Sequence, residues 1–358
     1  MKKLIQFELQ KIFSRHLTQI VLIMILFLSV FLNFSTYQNK YAFDGISKEG
    51  TGKAAIEIDR KIAAKYEGIL TDEKVQQMMS DFTPKSDLHG INAVYLYQNA
   101  MQSATFARFS DQNGNWNKAS VSDIFGEEEI KIGYIDGWLS TSQNMVKIFV
   151  ILSFVIIIMI TPIFCGEYGG VDTIILTSKF GKTKCTTAKI IASIIATLTV
   201  TILVIITNYL LALILYKSDG LDCNILFAPI EYVESYIPFS ITCKTLFIYQ
   251  ILLAITGTVS ITGITLILSA ACKNQMVTLV ASVAIYVFPM ILPVTETNPL
   301  FQYIALFPLY HLQFVSLMSI EQMSNGLLYA IWAIPVSFIF IGSGCMISHK
   351  LFAKHQII

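Results

Sequence analysis

The sequence predicts an all-α membrane protein with six transmembrane helices, and two observations carry that prediction. Hydrophobic residues make up 54% of the 358-residue chain and charged residues only 14%, with a mean hydropathy of +0.62. A soluble domain carries roughly 25% charged residues. The apolar residues also collect in six runs, 17–34, 146–164, 190–216, 246–272, 276–294 and 327–348, and none has an acid or base in its centre. About 20 apolar residues span a bilayer as a helix. Lipid offers no partner to free backbone N–H and C=O groups, so each run is expected to be helical.

In order along the chain, residues 1–36 read as a short amphipathic helix followed by the first span. Leu4, Ile5, Leu9, Ile12 and Phe13 share one side of a helical wheel, with Lys3, Gln6, Gln10 and Ser14 opposite. That pattern suits a helix lying in the membrane interface, or a helical extension of the span. No small-x-small cleavage pattern follows the run, so it reads as a retained helix. Residues 37–145 form a separate domain, mostly helical. Helical spacing recurs from Ala54 to Gly68. Thr71 is placed to cap a helix whose first turn holds Asp72 and Glu73 and whose apolar face holds Val75, Met78, Met79 and Phe82. Pro84 ends it, a third helix is expected within 91–109, and 110–122 is polar and turn-rich.

Residues 146–348 then hold the remaining five spans. They are joined by a segment at 165–189, a loop at 217–245, a short turn around Lys273, and an apolar, aromatic loop at 295–326. The last is interrupted by Pro299 and Pro308, which fits either two short helices dipping back into the bilayer or two surface helices at the aromatic belt. Residues 349–358 are a tail.

Lysine and arginine set the orientation. Lys2, Lys3, Lys11, Arg15, Lys179, Lys182, Lys184, Lys189, Lys273, Lys350 and Lys354 fall on the side of both termini, against Lys217 and Lys244 in the short loops of the other side. The positive-inside rule makes both termini cytoplasmic and places 37–145 outside. Six cysteines follow the same map. Cys165, Cys185, Cys272 and Cys345 sit at cytoplasmic ends or in helices. Cys223 and Cys243 share the external loop, as a disulfide or as two free thiols.

Motifs for soluble chemistry fall short. Gly181-Lys182-Thr183 ends like a phosphate loop, but Leu176 stands where the first glycine must be and no strand precedes it. Asp111-Gln112-Asn113-Gly114-Asn115 opens like a calcium loop, but Trp116 and Ser122 occupy the positions that need glycine and glutamate. His16, His89, His311, His349 and His355 have no metal-ligand spacing. No catalytic residue, resident metal or nucleic-acid partner is expected, and the chain does not read as an enzyme. Within the spans, Thr197, Thr199, Thr201, Thr207 and Asn208 match a hydroxyl-rich face of Thr256, Thr258, Ser260, Thr262 and Thr265. Such a face packs helices together, or lines a translocation path or a dimer seam; Thr256, Ser260 and Thr262 are the candidates for the latter. No ionisable relay crosses the membrane, which disfavours ion-driven transport.

Residues 164–189 resemble the cytoplasmic segment between the second and third helices of ABC-2 type ABC transporter permeases. The matching positions are Phe164, Glu167, Gly170, Leu176, Ser178, Lys182 and Lys189; the family's proline after the serine is replaced by Lys179-Phe180. The six spans, the basic N-terminal helix and the aromatic hairpin before the last span extend the resemblance over most of the chain, excluding 37–145. It implies a bacterial plasma-membrane exporter subunit, with an N-terminal elbow helix, that pairs with a second permease subunit and docks on a separate ABC ATPase. That partner would bind ATP and magnesium. The docking residues would be Glu167, Ile174, Ile175, Leu176, Lys179, Lys182 and Lys184, with Lys273 in a second contact. The isoleucines and Leu176 suit a groove on the partner, and the lysines suit lipid headgroups or acidic groups. Glu167 would either pair with a base on the N-terminal helix or on the partner, or cap a helix start. The substrate expected is an antimicrobial or bacteriocin-like peptide or another amphipathic molecule. A membrane sensor with a ligand-binding external domain is the alternative, and an integral membrane enzyme a third.

Overall fold

The computed structural model describes residues 1–44, 48–83, 98–168, 170, 174, 177–178, 180–230, 232, 240–292, 301–313 and 329–354. In chain order these form α1 (Lys2–Phe13), α2 (His16–Gln38), β1 (Tyr41–Phe43), β2 (Glu49–Thr51), α3 (Lys53–Tyr66), β3 (Gly68–Ile69), α4 (Asp72–Phe82), α5 (Ala100–Phe109), α6 (Val121–Phe125), β4 (Lys131–Ile132) and α7 (Asp136–Ile160). There follow α8 (Thr186–Tyr216), α9 (Cys243–Ala271), α10 (Gln275–Ile291), α11 (Phe301–Ile304), α12 (Pro308–Leu312) and α13 (Tyr329–Ala353).

The protein is mainly helical. Among the described residues, five segments are long and apolar enough to cross a membrane: His16–Gln38, Asp136–Ile163, Gly181–Tyr216, Cys243–Ala271 and Trp332–Ala353. Their length and composition define a multi-pass membrane protein. The fifth of the six expected spans, 276–294, holds a 17-residue helix, α10. At 1.5 Å per residue its described part is about 25 Å long. Pro289 lies inside it, and its C-cap Leu292 is extended, as the residue before a proline prefers.

The chain divides into two compact units. One unit comprises Val30–Asn144 and Asn208–Ile248. Its core is built by α3, α4 and α5 around Tyr66, Met78, Phe82, Phe106 and Phe109. Thr71 caps α4 by accepting the Lys74 amide at 3.3 Å, as its side-chain chemistry predicts. Of the helix expected within 91–109, the described part is α5, Ala100–Phe109. Two small antiparallel sheets, β1 with β2 and β3 with β4, join the helices of this mostly helical segment. The Asp111 carboxylate accepts the amides of Asn113 and Asn115, each at 2.8 Å, and so closes a polar turn. Trp138 is wholly buried, edge-on to Phe247, with its indole N–H donating to the Asp219 carbonyl at 3.0 Å. Asn33 donates to Asn208 at 2.7 Å, a polar bond between α2 and α8.

Cys223 and Cys243 are both buried and unbonded in the structure. They face each other beside an Asn224–Thr242 bridge, and the Cys243 amide donates to the Cys223 carbonyl at 3.0 Å. The Cys223 sulfur packs on Gly133, where a Cβ would meet it at 2.7 Å. Burial also pushes the Cys223 thiol up to about 11. Only the thiolate reacts. In the folded protein Cys223 should therefore resist alkylation from neutral pH up to about 11. In unfolded protein both cysteines should alkylate without any reductant. Peptide mass spectrometry of labelled samples checks this, and a cross-linked 223–243 peptide pair in unreduced protein would refute it.

The other unit comprises Met1–Ser29, Met145–Thr207 and Tyr249–Ile358. Helices α8 and α9 are joined by hydroxyl pairs, Thr197 with Thr262 at 2.7 Å and Thr201 with Thr258 at 3.1 Å. Helices α9 and α13 cross at Gly263 and Gly344, where a Cβ built on Gly344 would lie 2.4 Å from the Gly263 Cα. Tyr286 of α10 packs edge-on against Phe154 of α7. Helix α12 packs on Gly257, the midpoint of α9: a Cβ there would meet His311 at 3.2 Å and Leu312 at 3.1 Å. His311 is fully buried with Ser337 of α13 at 3.3 Å. Most of the 295–326 loop lies outside the described residues, but the described α12 reaches the middle of a membrane-length helix.

Candidate functional site

The candidate site is a buried charge cluster assembled by three pieces of chain that are distant in sequence. Helix α1 supplies Glu8 and Lys11 from adjacent positions on one face, and the joint between α1 and α2 supplies Arg15. Pro162, which has no amide donor, ends α7 and starts a tight Thr161–Ile163 turn. The chain then reverses through 164–168, with the Glu167 amide donating to the Phe164 carbonyl at 3.0 Å. This brings Glu167 back toward the first turn of α8, which supplies Lys189.

Lys189 is completely buried and lies between two carboxylates, 2.9 Å from Glu8 and 2.6 Å from Glu167. Lys11 pairs with the same Glu167 oxygen. Arg15 reaches the Pro162 carbonyl at 3.4 Å. Burial lowers the Arg15 pKa from its usual value, and the nearby charges of Glu8, Glu167 and Cys165 oppose that shift. A buried ammonium is tolerable only when paired and hydrogen-bonded, so Lys189 ties α1, the 164–168 turn and α8 into one arrangement.

The turn is also stitched to helices on its other side. The Ser269 hydroxyl of α9 accepts from the Phe164 and Cys165 amides at 3.0 and 3.3 Å and donates to the Thr161 carbonyl at 2.6 Å. Tyr168 donates to the Ala270 carbonyl at 2.6 Å. Phe352 of α13 packs on Phe164 and Tyr168, with ring centroids 4.8 and 5.9 Å away.

Of the sequence-derived candidates, Glu167 sits at the centre of this cluster, paired with the N-terminal helix. Ile174 is 72% exposed. Lys182 and Lys184 are exposed on a π-helical turn, Gly181–Cys185, that leads into α8, and Lys184 lies 4.1 Å from the centre of the Phe180 ring. Gly181-Lys182-Thr183 thus belongs to a helical lead-in. Lys273 is exposed in the turn before α10, where Asn274 caps that helix. Ile175, Leu176 and Lys179 lie outside the described residues. Thr262 is buried against Thr197, Ser260 is buried and donates to the Thr256 carbonyl at 2.8 Å, and Thr256 is half-buried and bonded back to its own helix. The gathering of Glu8, Lys11, Arg15, Glu167 and Lys189 into one cluster was not legible as a set. The available signal was scarcity, since Glu8 and Glu167 are two of the few acids flanking the apolar runs on the lysine-rich side.

Compared with family models, with curated proteins and with solved structures, the chain matches none.

Proposed function

We propose that this chain is the membrane-spanning permease subunit of an ATP-driven exporter of the ABC-2 type, working with a second permease subunit and a separate ATPase. The observation that carries the reading is the Glu167 cluster. It joins the N-terminal helix, the turn after α7 and the start of α8 through one buried lysine. Beyond it in sequence the chain presents exposed Ile174, Phe180, Lys182 and Lys184. An exposed apolar side chain beside lysines suits docking on a partner protein. A displacement applied there would reach α7, α8, α9 and α13 through the pairs and hydrogen bonds described above.

In this reading the termini and the 165–189 segment face the cytoplasm of a bacterial cell, and the partner binds ATP and magnesium. The substrate is an amphipathic molecule such as an antimicrobial peptide. The expected result is that an ATPase copurifies with the wild-type chain. Ile174→Asp combined with Lys182→Glu should reduce the recovered ATPase about tenfold or more, since the lost apolar contact and reversed charge together exceed ~1.4 kcal/mol. Quantitative immunoblotting of detergent-purified complexes measures this. If no ATPase associates and the wild-type protein behaves identically with and without ATP, the exporter reading fails.

A further inference from the structure

We propose that Glu167 has two alternative cationic partners on the N-terminal segment, Lys11 and Arg15, and that exchange between them records the position of α1 against the 164–168 turn. As a device for transmitting motion this rests on the exporter reading; as an equilibrium within the chain it does not.

The pairing present here is incomplete in a specific way. One oxygen of Glu167 accepts both Lys11 and Lys189, while its other oxygen is buried without a hydrogen-bond partner. One oxygen of Glu8 accepts Lys189, and its other oxygen is likewise buried without a partner. Arg15 has a buried Nη1 without a partner. One idle donor and two idle acceptors therefore lie in a single cluster, and buried polar groups are normally satisfied. The charges that act most on Arg15 are those of Glu8 and Glu167.

The mobile members can be identified. The segment around Glu167 is fastened to α9 by Ser269 and Tyr168 and packed on α13 by Phe352. Lys189 is fully buried, whereas the Lys11 side chain is 30% exposed and has the easiest route to solvent. Arg15 follows Lys11 by four residues, on the same side of a helical path, but it sits at the joint where α1 stops at Phe13 and α2 begins at His16. A guanidinium presents its N–H donors in a fixed planar fork that matches paired carboxylate oxygens, whereas an ammonium is a point charge without that fork. In the second state Arg15 takes the idle oxygens of Glu167 and Glu8, Lys11 is released to solvent, and Lys189 keeps both of its contacts.

The test is a distance measurement between two spin labels, independent of any ATPase. Labels go on Gln10→Cys of α1 and Lys182→Cys, both exposed positions, with Cys185, Cys272 and Cys345 replaced by serine. The full chain in lipid nanodiscs should show two distance populations, separated by up to about 5 Å, one helical turn. Arg15→Gln should leave only the Lys11-paired population, and Lys11→Gln only the other. The same single distribution in all three proteins would overturn the exchange. Loss of the exchange with an ATPase still bound would leave the exporter reading standing. Two populations with no ATPase would do the reverse.

Discussion

Lys189→Met is expected to destabilise the protein by on the order of 3–5 kcal/mol, the cost of leaving buried charges without their partner. Lys189 has no exposed surface and contacts Glu8 and Glu167, whose side chains are 10% and 4% exposed. Removing the ammonium leaves two carboxylates facing each other, with Lys11 on only one of them. The triple change Glu8→Gln, Glu167→Gln and Lys189→Met should recover much of the loss, because it removes the charges together with their desolvation cost. Lys11→Gln should cost less than Lys189→Met, since the Lys11 side chain is partly solvated and its attraction is screened. Thermal midpoints in detergent, with scan rate fixed, compare the variants. An unchanged midpoint for Lys189→Met would show that the cluster does not hold the helices together.

The second large effect is expected at the α9–α13 crossing. In lipid, helices gain little from hydrophobic burial against each other, so close approach through small residues carries the association. A Cβ at Gly263 would come within 2.6 Å of the Phe340 carbonyl oxygen, and one at Gly344 within 2.4 Å of the Gly263 Cα. These neighbours are backbone, which cannot rotate away as a side chain can. Gly263→Leu or Gly344→Leu should therefore force the helices apart at a cost of about 4 kcal/mol or more, the range of severe overpacking. Gly342 is the internal control: it lies on the same helix, and a Cβ there would meet nothing within 4 Å. Gly342→Ala should be close to neutral. Cysteine cross-linking between α9 and α13, with thermal midpoints, reads both outcomes. Equal midpoints for Gly344→Leu and Gly342→Ala would reject the close-packed crossing.

The parts of the fold that were legible in the sequence depend on one-dimensional signals. A helix long enough for a bilayer must show as an apolar run, and five such helices appear among the described residues. The Thr71 cap was legible because a capping hydroxyl acts on amides two or three residues away. Other features escaped for equally physical reasons. Strands of two or three residues are too short to show an alternating pattern. Helix α7 begins at Asp136, ahead of the apolar run at 146, because its polar first turns are buried by tertiary bonds such as Ser140 to Tyr232 at 2.7 Å and Asn144 to Thr36 at 2.9 Å. Helix α10 ends at Ile291 with Leu292 extended before Pro293, and a proline among apolar residues does not interrupt a hydropathy run.

By itself the sequence determined the class of protein, since hydropathy over some twenty residues decides between water and lipid without reference to any contact. It also singled out Glu167, as a scarce acid in a lysine-rich segment between two apolar runs. Only the tertiary structure decided what Glu167 does there. It faces Lys11 and Lys189, and Lys189 in turn faces Glu8, across 181 positions of chain. Nothing local links those residues. A buried charge takes its partner from whichever helix is packed beside it, and helix packing is a property of three-dimensional side-chain fit that no single stretch of sequence encodes.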